Sequence, residues 1–204
     1  MNEKLPYHKE TPSQTAGPYV HIGLTPNYLG TKGVYKHDLG SDLITKDTKG
    51  KPIQIEGYIY DGNGDPLLDA VMETWQADAD GIYNSPEDKR KRKSGDFMGW
   101  GRVPTDFKSG LYRFRTIKPG KVPWPDGGTQ APHILLWIIA RGINLGLNTR
   151  LYFGDEETAN AKDPVLLKQP ANRRAGLIAK KTKEGHYRFD IYLQGEKETV
   201  FFDI

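Results

Sequence analysis

His133 opens an otherwise apolar run, Ile134-Leu-Leu-Trp-Ile-Ile-Ala140. An imidazole at the head of a strand is a candidate metal ligand. A strand that supplies two ligands from one face needs them two residues apart, because side chains repeat every second residue. The second place is Leu135, which has no lone pair to offer. One imidazole does not hold a transition-metal ion against water without further ligands. His133 therefore reads as a hydrogen-bonded residue at a strand start. Arg141 follows the same run and precedes Gly142, which puts it at a strand end. A guanidinium suits a carboxylate through its bidentate donors, so Arg141 is a candidate either for an anionic ligand or for a salt bridge to another chain. Thr15, Gly17, Pro18 and Tyr19 form a turn sequence, in which Gly17 permits close backbone approach and Pro18 fixes the exit angle. From the residues alone this is a turn in a structural arm. The basic run at 89–93 lies among Asp88, Ser94 and Asp96 and reads as a solvated loop. No nucleophile elbow, zinc spacing or phosphate loop occurs.

The elements that must position these residues are strands. Residues 53–60 alternate as a half-buried strand does, and Asp61-Gly-Asn-Gly-Asp-Pro66 supplies turn chemistry. Further strands are expected at 71–76, 111–117, 133–140, 149–153, 187–193 and 199–202, with helical turns near 156–162 and 172–179. About seven strands with long connections make an all-β chain, a β-sandwich. The 23 glycines and 14 prolines in 204 residues agree with a turn-rich β fold. Residues 1–50 are polar and lack a sustained period. They read as an extended N-terminal arm anchored at points such as Tyr19-Val-His-Ile22, followed by one β-sandwich domain over 51–204.

Composition narrows the function. A net charge of +3 is too mild to argue for nucleic acid or a membrane surface. There are no cysteines, which removes disulfides and thiolate metal sites. The first ten residues lack the apolar core of a signal peptide, and no stretch reaches membrane-spanning length. A soluble cytoplasmic protein is expected.

Longer motifs carry a resemblance. Pro119-Gly-Lys-Val-Pro-Trp124 and Ala131-Pro-His-Ile-Leu135 resemble segments of the intradiol ring-cleaving dioxygenases, in which Pro-Gly-x-Tyr-Pro-Trp and Pro-Ala-His-Ile-His supply a tyrosinate and two imidazoles to ferric iron. Glu73-Thr-Trp-Gln-Ala-Asp78, Gly99-Trp-Gly-Arg102 and Tyr187-Arg-Phe-Asp-Ile191 extend the likeness. The Tyr place is Val122 and the second His place is Leu135, so of these ligand places only His133 is kept. The stretch after Tyr83, where relatives carry a further Tyr, has none. The arm at 11–24, Ile139-Ala-Arg-Gly-Ile-Asn144 and the tail at 195–204 are similar to the iron-free α chains of two-chain members of this family.

The resemblance implies a β-sandwich enzyme subunit that binds no catalytic metal itself. A homologous β subunit would hold Fe(III), with αβ protomers assembled into a larger oligomer. The implied substrate is a small aromatic, protocatechuate, cleaved with O2 to 3-carboxy-cis,cis-muconate. This chain would add Thr15, Gly17, Pro18, Tyr19 and Arg141 to the pocket wall. The reading from another class is a metal-free β-sandwich scaffold or binding protein with no shared active site.

Overall fold

The computed structural model describes residues 15–92, 95 and 97–203. Before the first strand the chain forms two short helices, α1 (Val20–Leu24) and α2 (Pro26–Leu29). The anchor at Tyr19–Ile22, expected in an extended arm, thus lies in a helical turn. His21 holds it there: one ring nitrogen meets Thr25 Oγ1 at 2.9 Å, the other meets the Asp69 carbonyl at 3.0 Å, and the ring packs edge-on against Phe107.

The strands follow in order. β1 (Pro52–Gly57) and β2 (Ile59–Tyr60) bury Ile53, Ile55 and Ile59 and leave Gln54 and Glu56 half-buried. Then come β3 (Val71–Trp75), β4 (Trp100–Pro104), β5 (Tyr112–Ile117), β6 (Val122–Pro123), β7 (Thr129–Gln130), β8 (His133–Ile139) and β9 (Leu147–Phe153). Two short helices, α3 (Glu157–Asn160) and α4 (Pro164–Leu167), and a 3-10 turn at Arg174–Leu177 lead to β10 (Ile178–Lys183), β11 (His186–Arg188) and β12 (Ile191–Tyr192).

Hydrogen bonds link eight strands in the order β4-β3-β8-β9-β10-β11-β1-β5. The ladder folds back on itself at β10. Its first residues, Ile178 and Ala179, pair with β9, whereas Lys180, Lys181 and Lys183 pair with β11 across a register shift. A strand that changes sheets at an irregularity is how sandwich corners are made. Side chains from both halves meet in one core, with Ile55, Tyr112, Phe114 and Tyr187 from one and Met72, Ile134, Leu136, Ile138 and Leu151 from the other. Each fully buried aliphatic side chain contributes roughly 1.5–3 kcal/mol. The two halves are held together by this shared core.

Three expected strands differ in form. The run at 53–60 and the run at 187–193 each break at one point, Tyr58 and Phe189-Asp190. There the Asp190 carboxylate accepts the Tyr58 N–H at 2.9 Å. The tail at 199–202 makes no continuous ladder: Thr199 N–H donates to the Tyr192 carbonyl and Phe202 N–H to Asn148, so it is pinned to two separate elements. Among the described residues no helix is long and apolar enough to cross a membrane.

Candidate functional site

β8 presents His133, Leu135 and Trp137 on the sheet face away from the core, as the two-residue repeat requires. Register places Trp75 of β3 beside Leu135 on one side and Arg150 of β9 on the other. His133 faces Tyr152. Its environment is fixed from several sides. Nδ1 lies 2.8 Å from the Ala131 carbonyl, which can only accept, so Nδ1 carries the proton. Nε2 then accepts from the Tyr83 hydroxyl at 3.2 Å. Tyr83 is itself stacked on Trp75, with ring centroids 5.8 Å apart. The loop before His133 is held by Asp163, which caps α4 through the Val165 and Leu166 N–H groups and accepts from Ala131 N–H at 2.7 Å. Val122 is buried on β6.

At the other end of β8, Arg141 and Gly142 turn the chain. Gly142 has φ of 84°, a conformation glycine adopts without steric cost, and its N–H donates to Thr15 Oγ1 at 2.7 Å. Thr15 Oγ1 donates in turn to the Ala140 carbonyl at 3.3 Å. The turn containing Gly17, Pro18 and Tyr19 follows directly, and Tyr19 is 76% exposed. Arg141 Nε is hydrogen-bonded to the Asp69 carboxylate. Its two terminal nitrogens have no hydrogen-bond partner among the described residues. The side chain is 60% exposed, beside an open groove of about 730 Å3 that includes Ile143, Leu145 and Leu193. Thr15 and the turn at Arg141-Gly142, separated by more than a hundred positions in sequence, thus meet at one corner.

Residues 24–195 match the family described as Dioxygenase. Over 95% of its length the chain is 47% identical to the protocatechuate 3,4-dioxygenase alpha chain of Pseudomonas putida, covering 96% of that protein. The chain belongs to this dioxygenase family. A protocatechuate 3,4-dioxygenase beta chain from Burkholderia cepacia is 33% identical over 82% of this chain and 75% of its own length. Among solved structures, the dioxygenase domain of a dioxygenase carbohydrate-binding protein fusion from Streptomyces sp. SirexAA-E superposes with a TM-score of 0.53 at 26% identity, covering 78% of this chain and 88% of that one. The sheet-dominated fold of this chain matches that of the solved dioxygenase domain.

The intradiol dioxygenase family is iron-dependent, and the side chains at the ligand places of this member do not fit a ferric ion. Val122 and Leu135 offer no donor atom. The one lone pair of neutral His133 is taken by Tyr83. Burial holds the Tyr83 hydroxyl above its usual pKa, which keeps it a phenol rather than a tyrosinate. Among the described residues no group of three or more His, Asp or Glu could hold a metal. No step through iron is derived for this chain.

Burial, with the Arg150 charge second, pushes His133 down from 6.5 to about 4. The unfolded chain takes up a proton at this residue below 6.5, and the folded chain only near 4. Acidification between those values therefore favours unfolding. Stability is expected to be full above the upper value and to fall by about 3 kcal/mol in total at the lower one. Urea midpoints measured across this range check it. In His133→Gln the slope flattens, and an unchanged slope would assign the titration to other groups.

Tyr83, Arg150 and Asp163 were not legible as parts of this face. Tyr83 joins His133 across a loop, with no fixed spacing to reveal it. Arg150 carried one signal, a cation in the middle of the expected strand at 149–153.

Proposed function

We propose that this chain is the iron-free α subunit of a protocatechuate 3,4-dioxygenase, acting with a homologous β chain that carries Fe(III). The enzyme opens protocatechuate with O2 to 3-carboxy-cis,cis-muconate and works in the cytoplasm as αβ protomers in a larger oligomer. Bound on the β chain, the iron supplies the activation of the catecholate for attack by dioxygen. The α chain supplies a wall. Residues 1–50 serve as the arm that reaches the shared pocket. Arg141 receives the substrate carboxylate on its terminal nitrogens, while Asp69 holds Nε and so orients the guanidinium plane. Thr15, Gly17, Pro18 and Tyr19 back the ring and exclude water. The observation that carries this reading is the junction of Thr15 with Gly142, which sets the arm turn beside Arg141. The similarity of one chain to both α and β chains supports a pair of related subunits.

Iron and turnover are measured on the chain purified alone and again after assembly with a β chain of the family. The lone chain is expected to carry near-zero iron and to leave protocatechuate unchanged. The assembled pair is expected to turn it over with iron near one per β chain. Stoichiometric iron on the lone chain would overturn the assignment.

A further inference from the structure

The outer sheet face carries a second built cavity, away from the Arg141 corner. It is a groove of about 500 Å3 over β3, β8 and β9, reaching Trp124 and the end of α4. That size falls within the range of small-molecule sites, which are mostly apolar with a few placed polar groups. Trp75, Trp124, Trp137 and Phe202 give it flat aromatic walls, and Leu135 lines it where a relative would place a metal-binding imidazole. The Trp137 indole lies so close over Gly146 that a Cβ there would come within 1.7 Å of Nε1, so only glycine leaves room for the ring.

Two cations border this apolar space. Arg150 donates from Nη1 to Gln130 Oε1 at 2.8 Å and lies 3.5 Å from the Tyr152 hydroxyl. Its Nη2 and Nε have no hydrogen-bond partner among the described residues. The Lys168 ammonium sits 5.5 Å from the Trp124 ring centroid and forms no ion pair with the described residues. The nearby carboxylates are already engaged. Glu73, which also lines the groove, is bonded by Arg102 at 2.8 Å and by the Trp100 indole N–H at 3.3 Å. Asp163 is buried and accepts from three backbone N–H groups and the Tyr152 hydroxyl. Positive charge therefore remains unanswered beside stacked aromatic surface.

We propose that this groove binds a small aromatic carboxylate without metal, its ring against the tryptophan walls and its carboxylate on Arg150 with Lys168 at the rim. A purely apolar occupant would leave the guanidinium unpaired on a half-enclosed surface. A strand from another protein would need a free sheet edge, whereas β3, β8 and β9 are paired on both sides. An aromatic anion answers both the walls and the charge. This inference does not depend on the Arg141 reading, and either can fail alone.

All four tryptophans of the chain line the groove, so intrinsic fluorescence reports on it. The full chain is titrated with benzoate and with its neutral isostere benzamide. Benzoate is expected to saturate the signal and to bind at least about 10-fold more tightly than benzamide. Arg150→Gln should weaken benzoate about 10-fold or more, and Lys168→Glu, at an exposed position, should weaken it about fivefold without changing the melting temperature. Calorimetric titration of the αβ complex is then compared with the complex carrying Arg150→Gln, so that benzoate bound on the partner cancels. A difference that persists there supports the site. Equal affinity for the two probes, no saturation, or indifference to both substitutions overturns it. Loss of the difference in the complex also overturns it, because the groove is then covered by the partner chain.

Discussion

Removing residues 1–19 is expected to leave the αβ complex assembled while lowering its kcat/KM for protocatechuate by at least about 100-fold, since loss of a positioning wall costs that much when the reacting geometry slips. The cut is placed by the structure. It removes Thr15 and the Gly17-Pro18-Tyr19 turn but spares His21, which is 4% exposed and ties α1 to Thr25, Asp69 and Phe107. A cut three residues further would remove His21 and expose the packing beneath it, confusing loss of the pocket with loss of the fold. Size-exclusion chromatography and steady-state kinetics on the same preparation separate the two readings. A scaffold with no share in the active site predicts dissociation and no specific effect on substrate. An intact complex with unchanged kinetics would remove the arm from the pocket.

Arg141→Ala is expected to raise the KM for protocatechuate about 10- to 100-fold, the worth of a charge-assisted hydrogen bond to a carboxylate. For catechol, which lacks the carboxylate, the change should stay within about twofold, for want of a charge to lose. The contrast between substrates is the readout, because general damage would move both together. Stability should change little, since the Arg141–Asp69 pair is solvent-exposed and such pairs contribute about 0–1 kcal/mol. Arg141→Lys keeps the charge but not the planar fork, and should recover only part of the loss.

The segment at 111–117 was legible because it buries one face, which writes itself into sequence at every second residue. The segment at 133–140 was legible because it is an apolar run bounded by His133 and Arg141. β10 was not. Its residues Lys180, Lys181 and Lys183 face outward or sit at the corner, so Ile178-Ala-Lys-Lys-Thr-Lys183 shows no apolar period. β6 and β7 are two residues each, too short for any period to appear. At the candidate site, Val122, His133 and Leu135 could be read directly, since what matters there is which atoms are present. The meeting of Thr15 with Gly142 could not be read, because it depends on how a polar segment returns across the finished sandwich. The Tyr83–His133 bond was hidden for the same reason, being made by a loop.

The strand shared between the two sheets has a mechanical consequence. With β10 bonded to β9 at one end and to β11 at the other, the halves of the sandwich cannot slide past each other without breaking a strand common to both. An opening that separates the two halves therefore has to break the pairing of β10 at one of its ends. A chain that lends a surface to chemistry held elsewhere contributes by standing still. For such a part, stiffness in the frame does the work that a reactive group does in the chain that carries it.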